Sequence, residues 1–162
     1  QEALPLELEL HDAHELLQAT LRSLKPALDR EAVAVTCAFE ANDPWVLVDA
    51  TYLTNVFHSL LDNAIRYGRS PRQVNIATRD TSSGLRITIA DNGPGIPVSE
   101  QALVFTKFFR GTNGREASVK GTGIGLYFAR KVVTAHGGTI TLNTGPSGGV
   151  EVELVLPKPE HG

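Results

Sequence analysis

The chain has 162 residues, 41% of them hydrophobic, which is enough apolar material for one core, so we predict a single domain over residues 1–162. Fifteen Lys and Arg against 18 Asp and Glu give a formal net charge of -3, which argues against a general nucleic-acid or membrane-binding surface. The lone Cys37 excludes an internal disulfide, and no apolar run approaches the ~20 residues of a membrane span, so we expect a cytoplasmic segment.

The first part of the chain predicts a helix, a strand and a second helix. Apolar residues spaced three and four apart over residues 10–28 indicate an amphipathic helix. β-Branched residues over 32–39, followed by a turn signal at 42–44, indicate a strand. The second helix opens near Asp49, whose side chain suits an N-cap, and it stops at Gly68.

The second half predicts two hairpins around a third helix. Alternating runs at 74–78 and 85–90 indicate the first hairpin, and strands at 139–143 and 150–156 indicate the second. Between them, a polar, glycine-rich stretch over residues 106–121 predicts a lid, and residues 124–136 predict a helix. Because hairpins join most of the strands, we predict an α+β fold, a two-layer α/β sandwich.

Polar residues on the second helix form the first segment of a candidate site. Ser59 and Asn63 stand one turn apart and share a face, and Asn63 lies beside apolar Leu60 and Ala64. A neutral amide oxygen in this position can hold a hydrated Mg²⁺ without neutralising the phosphates that the site must also attract. The same pattern also fits a surface helix whose Asn points at water.

The second segment, residues 91–97, directly follows a strand and begins with Asp91-Asn92-Gly93. A carboxylate at a strand end can accept a hydrogen bond from an exocyclic amine such as that of adenine, and glycines allow the backbone to approach a flat ring. A tight turn that caps a hairpin is the alternative interpretation.

Two further segments flank the predicted lid. Phe105, Phe108 and Phe109 either line its entrance or fill the core, and the guanidinium of Arg110 suits phosphate oxygens. Residues 121–126 open the third helix with three glycines, and the free N–H groups of a helix N-terminus suit phosphates. A dinucleotide fingerprint would need a strand immediately before this segment, and a polar lid precedes it instead.

In chain order, the four segments resemble the N, G1, F and G2 boxes of sensor histidine kinases, which belong to the gyrase, Hsp90, histidine kinase and MutL superfamily of ATP-binding domains. The resemblance covers essentially the whole chain, with a lead-in helix and strand over residues 1–48. It implies the Bergerat-type ATP-binding fold, with a mixed sheet of about five strands backed by three main helices. The implied cofactors are ATP and Mg²⁺.

The resemblance assigns a role to each matching residue. Asn63 would be the Mg²⁺ ligand, Asp91 would recognise the adenine amine, and Arg110 would meet the terminal phosphate, so that Asn63 and Arg110 are the expected catalytic residues. The expected nucleotide-binding residues are Ser59, Asn63, Arg66, Tyr67, Asp91, Gly93, Gly95, Ile96, Phe105, Arg110, Gly121, Thr122, Gly123, Gly125 and Leu126. Among them, the glycines would shape the base pocket, cradle the phosphates and hinge the lid.

Ser59 departs from the pattern of the superfamily. Histidine kinases usually carry a second Asn at this position, and the gyrase, Hsp90 and MutL branches carry a Glu that activates water. A serine hydroxyl is no general base at neutral pH, so hydrolysis has no obvious catalyst here. The substitution therefore favours the kinase branch.

Three histidines need an interpretation. The pairs His11-Asp12 and His14-Glu15 superficially resemble the phospho-acceptor motif of these kinases, but the family's acceptor lies on a long helical hairpin well upstream of the N box. We expect His11 and His14 to be exposed polar positions on the lead-in helix. We expect His136, near a helix C-terminus, to cap that helix.

The resemblance implies that the full protein transfers the γ-phosphate of ATP to a histidine on a separate dimerisation domain, which this chain lacks, and then to a response regulator receiver domain. We expect a monomeric fragment of a homodimeric kinase, without nucleic-acid or direct membrane contact, whose parent could be anchored in the inner membrane. Two alternatives stay open: a protein-serine kinase of the anti-sigma-factor type, and an ATP-binding signalling module without kinase activity. An upstream helical hairpin bearing a histidine would favour the histidine kinase over the protein-serine kinase, and formation of phosphohistidine on the acceptor domain would exclude the signalling module.

Overall fold

The computed structural model describes residues 4–67, 71–106 and 125–159. The strands are β1 (Glu9–Asp12), β2 (Ala34–Phe39), β3 (Trp45–Val48), β4 (Gln73–Thr81), β5 (Gly84–Asp91), β6 (Thr139–Thr144) and β7 (Val150–Leu156). The helices are α1 (Ala13–Arg30), α2 (Ala50–Tyr67), α3 (Val98–Gln101) and α4 (Gly125–Ala135). In these ranges, no helix has both the length and the apolar character that crossing a bilayer requires.

The main sheet has five strands in the order β2-β4-β5-β7-β6. β2 runs parallel to β4, and the other neighbours pair antiparallel, so the predicted mixed sheet is confirmed. Along β4, Val74, Ile76 and Thr78 are buried while the residues between them are more exposed. This period of two gives the sheet one apolar face, against which the helices pack.

The core lies between that face and α1, α2 and α4, which confirms the two-layer α+β sandwich with three main helices. Its largest fully buried side chains are Phe57, Leu17, Leu53, Leu61, Ile76, Leu85, Ile87, Leu154 and Leu156. Burial of each such side chain stabilises the fold by about 1.5–3 kcal/mol. The helix predicted over residues 124–136 corresponds to α4. Its predicted end is also confirmed, because Gly137 has a φ of +79° and the Gly138 N–H donates to Val133 O at 3.0 Å.

The first predicted helix begins three residues later than its apolar spacing suggested. Residues 9–12 form a strand that pairs antiparallel with β3, with Leu10 opposite Leu47. Asp12 accepts a hydrogen bond from the His14 N–H at 2.8 Å and so acts as the N-cap of α1. No sequence pattern indicates β3, because a segment of four residues after a proline is too short for a periodic signal.

His14 lies on α1 as expected, but neither His11 nor His14 is an exposed helix position, because both side chains are half-buried. His11 lies in β1, and His14 lies with its Nε2 atom 2.7 Å from Thr78 Oγ1. The His14 ring also stacks on Phe39, with ring centroids 4.5 Å apart. Burial lowers the pKa of His14, against the opposing influence of nearby Asp12 and Asp80. His14 therefore joins α1 to β2 and β4.

Candidate functional site

The candidate site lies at one end of an antiparallel helix pair formed by α2 and α4. At the other end of the pair, the start of α2 meets the end of α4, where the Asp49 N–H donates to His136 Nε2 at 3.0 Å. At the site end, Asn63 of α2 and Leu126 of α4 line the same cavity. The fold therefore brings the last third of α2, the first turn of α4 and the end of β5 together.

The cavity between these elements is narrow. Its volume of about 10 Å³ accommodates one water molecule, not a purine ring, so it marks the buried floor of the site. The residues that line it are Leu60, Asn63, Ala64, Ile89, Asp91, Leu126, Leu142, Val150 and Val152. Asn63 and Asp91 are the polar members of this apolar set, which suits recognition by a few polar groups within an apolar pocket.

Asn63 carries an unpaired acceptor at this floor. The residue is 8% exposed, and its Oδ1 atom has no hydrogen-bond partner within the described part of the chain. An unsatisfied buried acceptor costs about 1–3 kcal/mol, so native proteins rarely keep one without a use. A neutral amide oxygen is a suitable Mg²⁺ ligand, and the residues present fit a magnesium ion held here with nucleotide phosphates and water.

The described residues include no group of three or more His, Cys, Asp or Glu that could hold a metal ion, such as a protein cage of the zinc or calcium type would need.

Two main-chain amides fix the orientation of the Asp91 carboxylate. The residue is 5% exposed, and its Oδ1 atom accepts hydrogen bonds from the Gly93 N–H at 2.9 Å and the Val150 N–H at 3.2 Å. The first bond closes a short turn within the predicted G1 segment, and the second comes from the start of β7. A carboxylate held in this way is preorganised to accept a hydrogen bond from a ligand amine.

Close backbone packing shapes the same segment. Gly95 has a φ of +73°, and a Cβ atom there would lie 2.7 Å from Gly148 O. Ile96, 9% exposed, anchors the segment in the core. Gly149, in the turn between β6 and β7, packs directly on Asp91, because a Cβ at position 149 would overlap the main chain of Asp91 and lie 2.5 Å from its Oδ1.

The remaining predicted residues lie in different places. Ser59 is half-buried one turn before Asn63, and Arg66 is exposed close to the end of α2. Gly125 begins α4. Phe105 lines a separate groove of about 420 Å³ along α4, where the Arg130 guanidinium carbon lies 5.6 Å from the centroid of its ring. The structure thus brings Asn63, Asp91 and Leu126 together but does not place Phe105 with them.

Part of the predicted site lies outside the described residues. This part comprises Arg110, Gly121, Thr122, Gly123, the side chain of Tyr67, and nearly all of the predicted lid over residues 106–121.

At the far end of the helix pair, His136 has the predicted capping role. Its Nδ1 atom lies 2.8 Å from Val132 O in the last turn of α4, while Nε2 accepts from Asp49 N–H. Both ring nitrogens therefore take part in hydrogen bonds, and His136 caps α4 by hydrogen bonding. The N–H groups of Glu7 and Tyr52 hydrogen-bond to the Asp49 carboxylate and hold its pKa below the usual range.

Comparison with known families and structures agrees with this geometry. Residues 48–160 match the family described as histidine kinase-, DNA gyrase B-, and HSP90-like ATPase. The sensor protein RprX of Bacteroides fragilis is 32% identical over 90% of this chain and 28% of its own length. The signal transduction histidine-protein kinase/phosphatase MprB of Mycolicibacterium vanbaalenii is 36% identical over 91% of this chain and 31% of its own length.

A solved structure of the mycobacterial sensor histidine kinase MprB superposes with a TM-score of 0.82 at 28% identity, covering 94% of this chain and all of that one. The similarity therefore extends to the lead-in residues before position 48. The chain spans less than a third of the length of the two relatives named above.

Proposed function

Since the chain belongs to the histidine kinase-, DNA gyrase B-, and HSP90-like ATPase family, we propose that it is the ATP-binding catalytic domain of a sensor histidine kinase. The observation that carries this proposal is the pairing of a preorganised carboxylate, Asp91, with an unpartnered amide oxygen, Asn63, at the floor of one cavity. The carboxylate would accept a hydrogen bond from the adenine amino group, and the amide oxygen would be a ligand of the metal that accompanies the phosphates.

Phosphoryl transfer depends mainly on positioning and on stabilising charge, and the chain supplies groups for both. Asn63 would hold Mg²⁺, which when bound would neutralise charge on the nucleotide phosphates. Arg66 and Arg110 contact phosphate oxygens, and the N–H groups of the glycine-rich segment before α4 cradle the phosphate chain. Ser59 supplies no general base for water, which favours transfer to an acceptor over hydrolysis.

We place the acceptor histidine on a separate dimerisation domain, from which the phosphoryl group passes to the receiver domain of a response regulator. Neither His11 nor His14 suits this role, because His11 is in a short strand and His14 is hydrogen-bonded to Thr78 and stacked on Phe39. The domain acts in the cytoplasm as a monomeric unit of a homodimeric kinase. The relatives named above, a sensor protein and a signal transduction histidine-protein kinase/phosphatase, support the assignment to a histidine kinase.

The nucleotide site is tested by isothermal titration of the chain with ATP and Mg²⁺, with GTP as the control. We expect ATP to bind and GTP to bind far more weakly. Asp91→Asn weakens the charge-assisted hydrogen bond, which is worth roughly 1.5–3 kcal/mol, so ATP affinity should fall about 10- to 100-fold. Unchanged affinity in a folded Asp91→Asn variant would refute the base pocket.

The transferase activity is tested by incubating the chain with a separately purified dimerisation domain and labelled ATP. An acid-labile, base-stable phosphohistidine on that domain is the expected product. An acid-stable phosphoserine on a partner protein would favour the protein-serine kinase instead. Nucleotide binding without any transfer would leave only the signalling module.

A further inference from the structure

The turn between β6 and β7 packs closely, through two glycines, against residues 91–97, the segment that contains Asp91. On one side, Gly95 is so close to Gly148 O that no Cβ fits between them. On the other side, Gly149 lies against Asp91, where a Cβ would be 2.5 Å from Oδ1. The two segments are more than 50 residues apart in the chain, so this contact is a property of the fold and not of local turn geometry.

The same turn also supplies a hydrogen bond to the recognition carboxylate. Val150 directly follows Gly149, and its N–H donates to Asp91 Oδ1 at 3.2 Å. Gly145 N–H and Gly149 O, 2.8 Å apart, close the turn itself, so its geometry is held independently of Asp91. The turn is thus a rigid support that fixes both the position and the rotation of the carboxylate.

We propose that Gly149 and Val150 are positioning residues that determine adenine specificity, because they set the place of Asp91 from the side of β7. This inference rests on the proposed function, in which Asp91 accepts the adenine amino group. An added methyl group at position 149 would overlap Asp91 O and lie 2.5 Å from its Oδ1, so the main chain and the carboxylate of Asp91 must both move by about 1 Å to reach an ordinary contact of about 3.4 Å. Hydrogen bonds weaken steeply with such a displacement.

The same turn offers a matched control. Gly148 has a φ of +83°, so an alanine there strains the backbone, but a Cβ at position 148 would meet no atom within 4 Å. Gly148→Ala therefore perturbs the turn without touching Asp91, whereas Gly149→Ala acts on Asp91 itself. Any difference between these two variants in binding reports the contact and not a general loosening of the turn.

The experiment compares the affinities of ATP and purine riboside triphosphate, which lacks the 6-amino group, in the presence of Mg²⁺. The unmodified chain and Gly148→Ala should prefer ATP about tenfold or more. Gly149→Ala should lose about tenfold in ATP affinity and less than about threefold in affinity for the analogue. In an Asp91→Asn background, Gly149→Ala should have no further effect on ATP affinity.

If Gly149→Ala keeps the preference for ATP, or weakens both ligands equally, the positioning role is overturned. If the unmodified chain itself shows no preference for ATP over the analogue, then the assigned base pocket fails, which is a different result. Should Gly149→Ala not fold, Val150→Pro removes the N–H that donates to Asp91, at the first residue of β7, where proline is tolerated. It also replaces the buried Val150 side chain that lines the cavity, so the expected result is a loss confined to ATP, with the affinity for the analogue nearly unchanged.

Discussion

Each end of the α2–α4 pair contains a polar residue that is buried to the same degree, but the two residues differ in their hydrogen bonds. His136 and Asn63 are each 8% exposed. His136 uses both ring nitrogens, one toward Val132 and one toward Asp49, whereas Asn63 Oδ1 has no partner in the described part of the chain. Burial alone therefore does not separate these two residues, whereas their hydrogen bonds do.

The difference has a thermodynamic basis. A satisfied buried network stabilises the folded chain and is lost when one partner is removed, whereas an unsatisfied acceptor destabilises the folded chain until a ligand pairs with it. Substitutions at the two ends should therefore separate stability from binding. The following variants examine this separation from the largest expected effect to the smallest.

His136→Ala should give the largest loss of stability. It removes two buried hydrogen bonds, leaves the Asp49 N–H and Val132 O without this partner, and opens a cavity. We expect the free energy of unfolding to fall by about 3 kcal/mol, and Tm by roughly 6–12 °C. ATP affinity of the folded protein should stay within about twofold, as measured by titration well below Tm.

His136→Gln is the control for this variant, because an amide can both donate and accept. It should recover part of the lost Tm. If the folded His136→Ala protein instead loses ATP affinity tenfold, the two ends are coupled and the contrast between them fails.

Asn63→Ala should have the reverse pattern. Removing an unpaired buried oxygen takes away its desolvation cost, so Tm should change by no more than about 2 °C despite the smaller side chain. Affinity for ATP with Mg²⁺ should fall about tenfold or more, because the proposed metal ligand is lost. Titration with and without EDTA measures the metal-dependent part.

In the presence of EDTA, the unmodified chain and Asn63→Ala should bind ATP equally weakly. An equal loss with and without metal would mean that Asn63 contacts the nucleotide directly. Asn63→Gln keeps the amide but moves its oxygen, so it should preserve Tm and still lose the metal-dependent affinity.

The sequence located Asn63 and Asp91 because each lies beside a strong local signal. Asn63 follows the apolar stripe of an amphipathic helix, and Asp91 ends an alternating strand before a glycine-rich turn. Gly149 was missed because a local turn signal already accounts for its glycines, while its contact with Asp91 depends on how β5 and β7 align in the sheet. Pairing between distant strands has no signature in a single window of sequence.

The lead-in residues show the same limit. The strand over residues 9–12 forms because it pairs with β3, and both segments are too short to give a periodic signal in the sequence. His14 resembled an exposed helix position, since nothing in its neighbourhood in the sequence indicates that Phe39 and Thr78 meet it in space. The local spacing of apolar residues predicted the main helices and hairpins. The two short strands and the burial of His14 depend on contacts between distant parts of the chain.

The smallest predicted effect concerns two carboxyls on or beside α2 whose pKa values move in opposite directions. Main-chain N–H groups, that of Glu7 first, lower the pKa of Asp49, while burial raises the pKa of Asp62 against the influence of Arg66 and His58. Asp49 thus stabilises the fold above its unfolded pKa of about 3.9, and this contribution is lost as the pH falls through its lower folded value. For Asp62, stability decreases as the pH rises from about 3.9 through its higher folded value.

Asp62→Asn should therefore raise Tm at pH 7 by about 1 °C, a value kept small because the group is partly exposed, and the gain should vanish near pH 3, where both states are protonated. Asp49→Asn should lower Tm at pH 7, and this loss should also shrink toward pH 3. Carboxyl NMR titration checks the order directly, since Asp62 should titrate above an ordinary aspartate and Asp49 below it. A reversed order would mean that the main-chain N–H groups bonded to Asp49 do not favour its charged form. The two ends of the α2–α4 pair would then not differ in their electrostatics.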